Sequence, residues 1–555
     1  MTSAAPARWD AITLEILWQR LRSCADQAAA ALLRSSFSTL VSSSHDFRYV
    51  ITDAAGNSLA QSYLGEVMFV TTFPDCVRNI LREVGPENMR AGDVYITNDP
   101  WLAAGHLPDI HIATPVFRGD RLVAFSGSVI HVSDIGGRFG PHDAREVFEE
   151  GLRIPILKLI EGAAGPNDAI LKILRANVRT WELSQGDVMA QVAGNAVGAR
   201  LILEFLDEYK LNDLVELSEA LQERVEQAMR RQIQGLPDGV FEHETEAEFG
   251  VADDTLLIKS TITIDGDEIT VDYTGSSPQT NRAGVNCVMN CTRSLTLYPL
   301  HAMLLPDVPA IEGLTRPIKI FAPPGTIMNA LHPAPVDVRA TITHLLPDHV
   351  MTSLAAAAPE RVLAASGVRW MLMADRVDSQ TSRRTITSFF QAGGMGAGHD
   401  RDGPHAKFFP IKGYHTAVER FEVDTGLIVE EKSIRRDSGG AGRFRGGNGQ
   451  RVVFRNPTSD PVQFTFYRPQ IRRGPRGLAG GGDGESGRAL VDGQPLDSDV
   501  MRVPPGSRVV LETPGGAGFG DPAMRAAPAL AEDIRQGYVS AARATIAYGV
   551  DAAVE

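Results

Sequence analysis

Cysteine is scarce in this chain: four residues in 555 (Cys24, Cys76, Cys287 and Cys291). They are too few and too dispersed for a disulfide framework, and Cys287 and Cys291, four apart with no second pair, do not make a thiolate zinc knuckle. An apolar run of about 18 residues is also missing, and the start Met1-Thr2-Ser3-Ala4-Ala5-Pro6 has no basic segment leading into an apolar one. The expectation is a cytoplasmic chain without a membrane span. Positive charge is in deficit, with 54 Lys and Arg against 68 Asp and Glu and a net charge of −14. The basic residues are scattered, so nucleic acid is excluded as a default partner. No Gly-x-x-x-x-Gly-Lys-Ser/Thr string occurs, and the glycine-dense loops lack the lysine that would meet nucleotide phosphates.

What is present is the balance of a folded protein, 43% apolar and 22% charged, in a chain long enough for two to four structural units. Leu14, Leu17, Leu21, Cys24, Ala28 and Leu32 recur at helical spacing, predicting a helix over 10–34 capped by Asp10 or Thr13. The period then falls toward two between about 47 and 132. A second helix is expected over 199–235, with a stripe through Leu214, Leu217, Leu221, Val225, Met229 and Ile233. Asp265-Gly266-Asp267 marks a hairpin, and further helices are expected over 286–303 and 345–366. From 410 onward, β-like stretches alternate with glycine-dense loops at 439–449, 474–484 and 515–520, and the segment 528–548 reads as one or two helices. The fold class is α+β and multi-domain: an N-terminal α+β part over 1–235 with the metal-binding residues, a central α+β part over 236–405, a β-rich glycine-loop part over 406–525, and a helical tail over 526–555.

Potential ligands are densest in Asn98-Asp99-Pro100, Gly105-His106-Leu107-Pro108-Asp109-Ile110-His111 and His131-Val132-Ser133-Asp134-Ile135-Gly136-Gly137. An antiparallel hairpin turning at Arg118-Gly119-Asp120 brings these clusters together. A three-residue loop centred on Gly119 sets Asp109 opposite Val129, with His131 diagonal on the same face and His111 sharing it. A two-residue turn shifts the register by one and sends His131 to the other face. Imidazole nitrogens with carboxylate oxygens and no thiolate suit a divalent ion such as zinc, manganese or iron; local His–Asp hydrogen bonds are the other reading. The glycine loops, with Arg443 and Arg445, read either as anion-binding nests or as turns of a β-rich unit. Asn286, Asn290 and Arg293 either line a pocket or serve capping and packing.

These motifs, together with Glu150-Gly151-Leu152-Arg153-Ile154-Pro155, His332-Pro333-Ala334-Pro335-Val336, Asp437-Ser438-Gly439-Gly440-Ala441-Gly442-Arg443-Phe444-Arg445-Gly446-Gly447 and Thr513-Pro514-Gly515-Gly516-Ala517-Gly518-Phe519-Gly520-Asp521-Pro522, resemble the hydantoinase B/oxoprolinase family over nearly the whole chain. The resemblance implies one subunit of an ATP-dependent enzyme that opens a cyclic amide (hydantoin, oxoproline or lactam). A hydantoinase A-like partner would bind ATP and phosphorylate the carbonyl oxygen, and metal-bound water on this chain would then attack. It further implies one divalent ion held by Asp46, His106, Asp109 and His131, in a hetero-oligomer. Spacing alone does not select Asp46. Asp134 would orient a ligand histidine or accept a proton, or else serve as a turn residue before Gly136-Gly137. Two positions depart from the family pattern: Tyr63 stands where many members carry histidine, and Ser43-Ser44-His45 precede Asp46. Glu66 beside the first departure is either an outer ligand or an exposed turn carboxylate. Related chains serve acetone- and acetophenone-type carboxylases, so a ketone carboxylase subunit is the alternative function, and a non-catalytic scaffold is a second.

Overall fold

The computed structural model of the chain describes residues 9–138, 140, 143–249 and 255–550; the Met1–Pro6 start read above lies outside them. It is α+β in several parts, as the sequence predicts. The first helix spans Ala11–Ser35, with the Asp10 carboxylate accepting the Thr13 N–H as its cap, and all six residues of the expected stripe are buried. The helix expected over 199–235 is two helices, Trp181–Glu208 and Val215–Ile233. They part where Lys210 takes a positive φ. The helix expected over 345–366 stops early, as Leu346–Ser353. Beyond it the chain winds on only through short turns at Ala357, Ala358 and Arg361, and Pro359 among them has no N–H with which to continue a helix. The remaining expected helices form at Met289–Leu304, Ala527–Arg535 and Ala541–Tyr548, and the Asp265-Gly266-Asp267 hairpin closes with Asp265 opposite Glu268.

The N-terminal sheet positions the ligand clusters. Its strands are β1 (Phe47–Asp53), β2 (Ser58–Gln61), β3 (Val94–Thr97), β4 (Asp109–Arg118), β5 (Arg121–His131) and β6 (Leu157–Ile160), in the order β2-β1-β5-β4-β3-β6, all antiparallel. Both faces are covered. Tyr49, Ile51, Ile110, Ile112 and Ile130 pack with the helices Ala11–Ser35 and Trp181–Glu208, while Val50, Ala113 and Phe125 pack with Phe73, Val77 and Ile80 of the helix Phe69–Val84. Two-sided cover explains why β1, β3 and most of β4 and β5 are buried residue after residue, without an exposed face. The helix Trp181–Glu208 also feeds buried polar groups onto the sheet: Gln191 donates to the carbonyls of Ile110 and Ser128, and Asn195 to that of Ile112.

The β4–β5 hairpin corrects both registers considered above. Its turn is the two-residue kind, with Arg118 opposite Arg121, which alone would put His131 on the far face. A bulge past Leu122 adds one residue to β5 and restores the parity, so that Asp109 lies directly opposite His131.

The C-terminal part holds two further sheets, one of strands Trp370–Val377, Arg384–Gln391, Val462–Tyr467 and Val500–Val503, the other built around Gln450–Arg455 and Arg508–Glu512. Its glycine loops lie main chain against main chain: Gly447 N–H donates to Met395 O, Gly516 N–H to Gly447 O, and Gly440 N–H to Gly516 O, each at 2.8 Å. A Cβ on Gly447 or Gly516 would overlap the main chain of Pro404 or Met395. The Arg445 guanidinium is buried against Asp533 at 2.8 Å. These contacts are those of turns knitted to one another. Asn286, Asn290 and Arg293 are likewise engaged with Pro335 O, Pro100 O and Asp75.

The helix Trp181–Glu208 approaches β1 so closely that a Cβ on Gly198 would fall inside the Tyr49 hydroxyl, which is paired at 2.5 Å with Ser126 Oγ. Gly198→Ala is therefore expected to destabilise the protein by about 1–3 kcal/mol through overpacking, despite the higher helix propensity of alanine. Equilibrium denaturation in urea measures this, and an unchanged midpoint would contradict the packing described.

Candidate metal centre

Three neighbouring strands deliver their end residues to one place. His131 closes β5, Asp109 opens β4 on one side of it, and Asp46 precedes β1 on the other, where the His131 N–H donates to Asp46 O at 3.0 Å. Phe47, Ile110 and Ile130, one residue away in each strand, face the core, so strand alternation turns Asp46, Asp109 and His131 to the opposite side. His106 arrives from the loop before β4. Gly105 ahead of it takes φ +91° and lies against the Arg339 side chain, a position that suits glycine alone.

Ligand atoms of His106, Asp109 and His131 lie within 4.8 Å of one another. His106 Nε2 and His131 Nδ1 are each 3.0 Å from the same oxygen, Asp109 Oδ1. The other oxygen, Oδ2, takes the Arg339 guanidinium at 2.7 Å. Asp46 lines the same cavity outside this trio. His106 Nδ1 stands 3.1 Å from the Asp337 carbonyl, which can only accept, so the proton of the neutral ring belongs on Nδ1 and Nε2 is bare. That bare nitrogen is buried, faces a carboxylate oxygen, and makes no hydrogen bond. Two lone-pair atoms at this distance can share a proton or a metal cation, and imidazole with carboxylate is a donor set that could hold a borderline divalent ion.

The electrostatics follow from the packing. Burial opposes charge on Asp109, but His106 and Arg339 beside it hold its carboxyl well below the usual range. Burial and the Arg339 charge press His106 toward its neutral form. Burial pulls His131 the same way, yet its bond to Asp109 and the nearby Asp46 raise it.

The other expected residues sit apart from the trio. His111, on the β4 face that Asp109 shares, is stacked on Phe73 and edge-on to Phe69, and is not in the cluster. Asp134 lines the cavity with its oxygens taken up by the Arg179 guanidinium at 2.5 Å, the Arg179 N–H, and the Gly136 N–H at 3.3 Å. Glu66 is no exposed turn carboxylate. It is buried, 3.4 Å from Arg369, with Oε2 free of partners, and burial, opposed by Arg369, pushes its pKa up to about 8. The far wall of the cavity, about 140 Å³ in volume, includes Arg369, Met371, Phe390 and Tyr467 from the C-terminal part. None of these, nor Arg339, stands out in the sequence. The nearest signal is the adjoining His332–Val336 motif.

A model of the family described as hydantoinase B/oxoprolinase matches residues 10–522. The chain is 29% identical to the B-type subunit of a putative D-/L-hydantoinase from Pseudomonas sp. (strain NS671), over 98% of this chain and 95% of that one. It is 29% identical to the beta chain of the caprolactamase of Pseudomonas jessenii, over 98% and 96%. The 5-oxoprolinase of Dictyostelium discoideum is 26% identical over 92% of this chain but only 40% of its own length. A crystal structure of the ATP-dependent caprolactamase from Pseudomonas jessenii superposes with a TM-score of 0.88 at 27% identity, covering 98% of this chain and 96% of that one. A nucleotide-free acetone carboxylase shares the fold, with a TM-score of 0.86 at 20% identity over 97% and 79%. Among the described residues no helix is long and apolar enough to cross a membrane.

Asp109 is the buried anion that Arg339 needs. Asp109→Ala should cost about 3–5 kcal/mol of stability even in chelator, because it strands a buried guanidinium. His106→Ala leaves no such charge and should cost clearly less. Denaturation of the two variants in EDTA compares them, and equal losses would contradict the arrangement.

Proposed function

Since the chain belongs to the hydantoinase B/oxoprolinase family, we propose that it is the ion-holding subunit of an ATP-dependent amidohydrolase that opens a cyclic amide of the hydantoin, oxoproline or lactam type. The observation that carries this reading is the pair of imidazole nitrogens converging on one oxygen of Asp109, at the wall of a cavity. The relatives matched nearly end to end are named as the B-type subunit of a hydantoinase and the beta chain of a caprolactamase.

His106, Asp109 and His131 are the proposed ligands, with Asp46 completing the set from beside His131. A zinc, manganese or iron ion bound there would polarise a substrate oxygen and acidify water. The protein's own groups do the rest. Glu66 lines the same cavity as a buried carboxyl steadied by Arg369, and Met371 and Phe390 shield the reacting face from bulk water. Asp134, committed to Arg179, holds the 133–137 wall in position. An unstrained amide is a poor electrophile until its oxygen is phosphorylated, and we assign that step to a separate hydantoinase A-like chain that uses ATP. The 5-oxoprolinase match supports the division, because this chain accounts for about two fifths of that longer protein. The glycine loops here are filled by one another and offer no phosphate cradle.

The isolated chain is expected to retain about one divalent ion after dialysis and to hydrolyse no ATP. His106→Ala should keep less than about a tenth of an ion per chain. Combined with its partner, the wild type should hydrolyse ATP when a cyclic amide is added, without bicarbonate. ATP use that requires bicarbonate and a methyl ketone would replace this reading with the ketone carboxylase one. A wild-type chain without bound ion would favour a scaffold role.

A further inference from the structure

Two motifs remain without a role in the proposed chemistry: Glu150 in its Glu-Gly-Leu string, and the segment that follows His332–Val336. The structure brings them together behind the ligands. Glu150 Oε1 accepts the N–H groups of Val336 at 2.7 Å and Asp337 at 2.9 Å. The segment so held presents the Asp337 carbonyl to His106 Nδ1 at 3.1 Å. Two residues on, Arg339 clips the turn that carries both ligands: its Nε donates to Ala104 O at 3.1 Å and its Nη2 to Asp109 Oδ2 at 2.7 Å. Arg339 is 2% exposed, so the clip is shielded from water.

From these contacts we infer that Arg339 is a positioning residue for the ion site: by occupying Oδ2 it turns Asp109 Oδ1 toward the two histidines, while Asp337 O, fixed by Glu150, sets the His106 tautomer. This rests on the metal reading above and adds to it the group that orients the ligands. An orienting fork and a mere buried charge make opposite predictions. A positive charge this close to a dication weakens its binding, so removing a mere charge would tighten it. Removing an orienting fork loosens a ligand and weakens it, commonly by about 10–100-fold for groups that act behind the ligands.

The experiment titrates cobalt(II) into metal-free wild type, Arg339→Lys and Arg339→Gln, following affinity and the visible absorption band. Arg339→Gln is expected to bind about 10–100-fold more weakly with a shifted band. Arg339→Lys, which keeps the charge but cannot reach Ala104 O and Asp109 Oδ2 together, should fall between it and wild type. Tighter binding by Arg339→Gln, or wild-type affinity and an unshifted band in Arg339→Lys, would overturn the inference. Should Arg339→Gln fail to fold, Arg339→Lys decides alone. If wild type itself binds no cobalt, the metal reading fails instead, which separates the two outcomes.

Discussion

A carboxylate removed from water must find its charge partners inside the protein, and Asp109 is the point where this requirement organises the molecule. Burial of an unpaired anion costs several kcal/mol, and here the carboxylate is enclosed by a strand end, a loop and a segment more than 200 residues away: His131 bonds to Oδ1, Arg339 pairs with Oδ2, and His106 closes beside them. No two of these partners are adjacent in the chain. The geometry at Asp109 therefore exists only when the N-terminal sheet, the 98–107 loop and the 336–339 segment are packed together.

The sheet explains why the polar groups gather where they do. With helices on both faces, a side chain within β1, β4 or β5 has only packed interior to point into, and Ile110, Ile112, Ile130 and Val129 fill those positions. Apart from enclosed groups such as Ser126, Ser128 and His111, the polar residues that face the cavity stand at the strand ends, where the cover stops. Asp46, Asp109 and His131 lie at such ends on adjacent strands, and the bulge in β5 gives His131 the parity that a plain two-residue turn would deny it. His111 shows the contrary case: one step farther into β4, it is enclosed by Phe69 and Phe73, and burial pushes its pKa down to about 4.

Periodicity makes the long helices legible, and turn residues the hairpins, because both are local signals. The clustering of His106, Asp109 and His131 is also readable, since a hairpin joins neighbours in sequence. The register is not, because an extra residue beyond Leu122 leaves no mark in a run of apolar and small residues. Arg339 and Glu66 escape notice for a different reason. Arg339 acts through contacts formed across a separation of 230 residues to Asp109. Glu66 follows a glycine in what reads as an exposed turn, and only the packing of Arg369 and Arg48 around it puts it inside. The break between Glu208 and Val215 is hidden because Leu211 and Leu214 keep the apolar stripe going while the backbone at Lys210 leaves the helix.

The two halves of the cavity wall have different origins, and this bears on how one fold accommodates different reactions. The residues converging on Asp109 come from the N-terminal sheet and the 336–339 segment, fixed by buried charge pairs that tolerate little change. The facing wall, with Met371, Phe390 and Tyr467, comes from the strands Trp370–Val377, Arg384–Gln391 and Val462–Tyr467, where a change of side-chain size reshapes the cavity without touching His106, Asp109 or His131. The cavity is about 140 Å³ in volume, so the size of the side chains on that wall changes its shape directly. The shape of the cavity can therefore vary through the C-terminal sheet while the contacts that hold Asp109 stay in place.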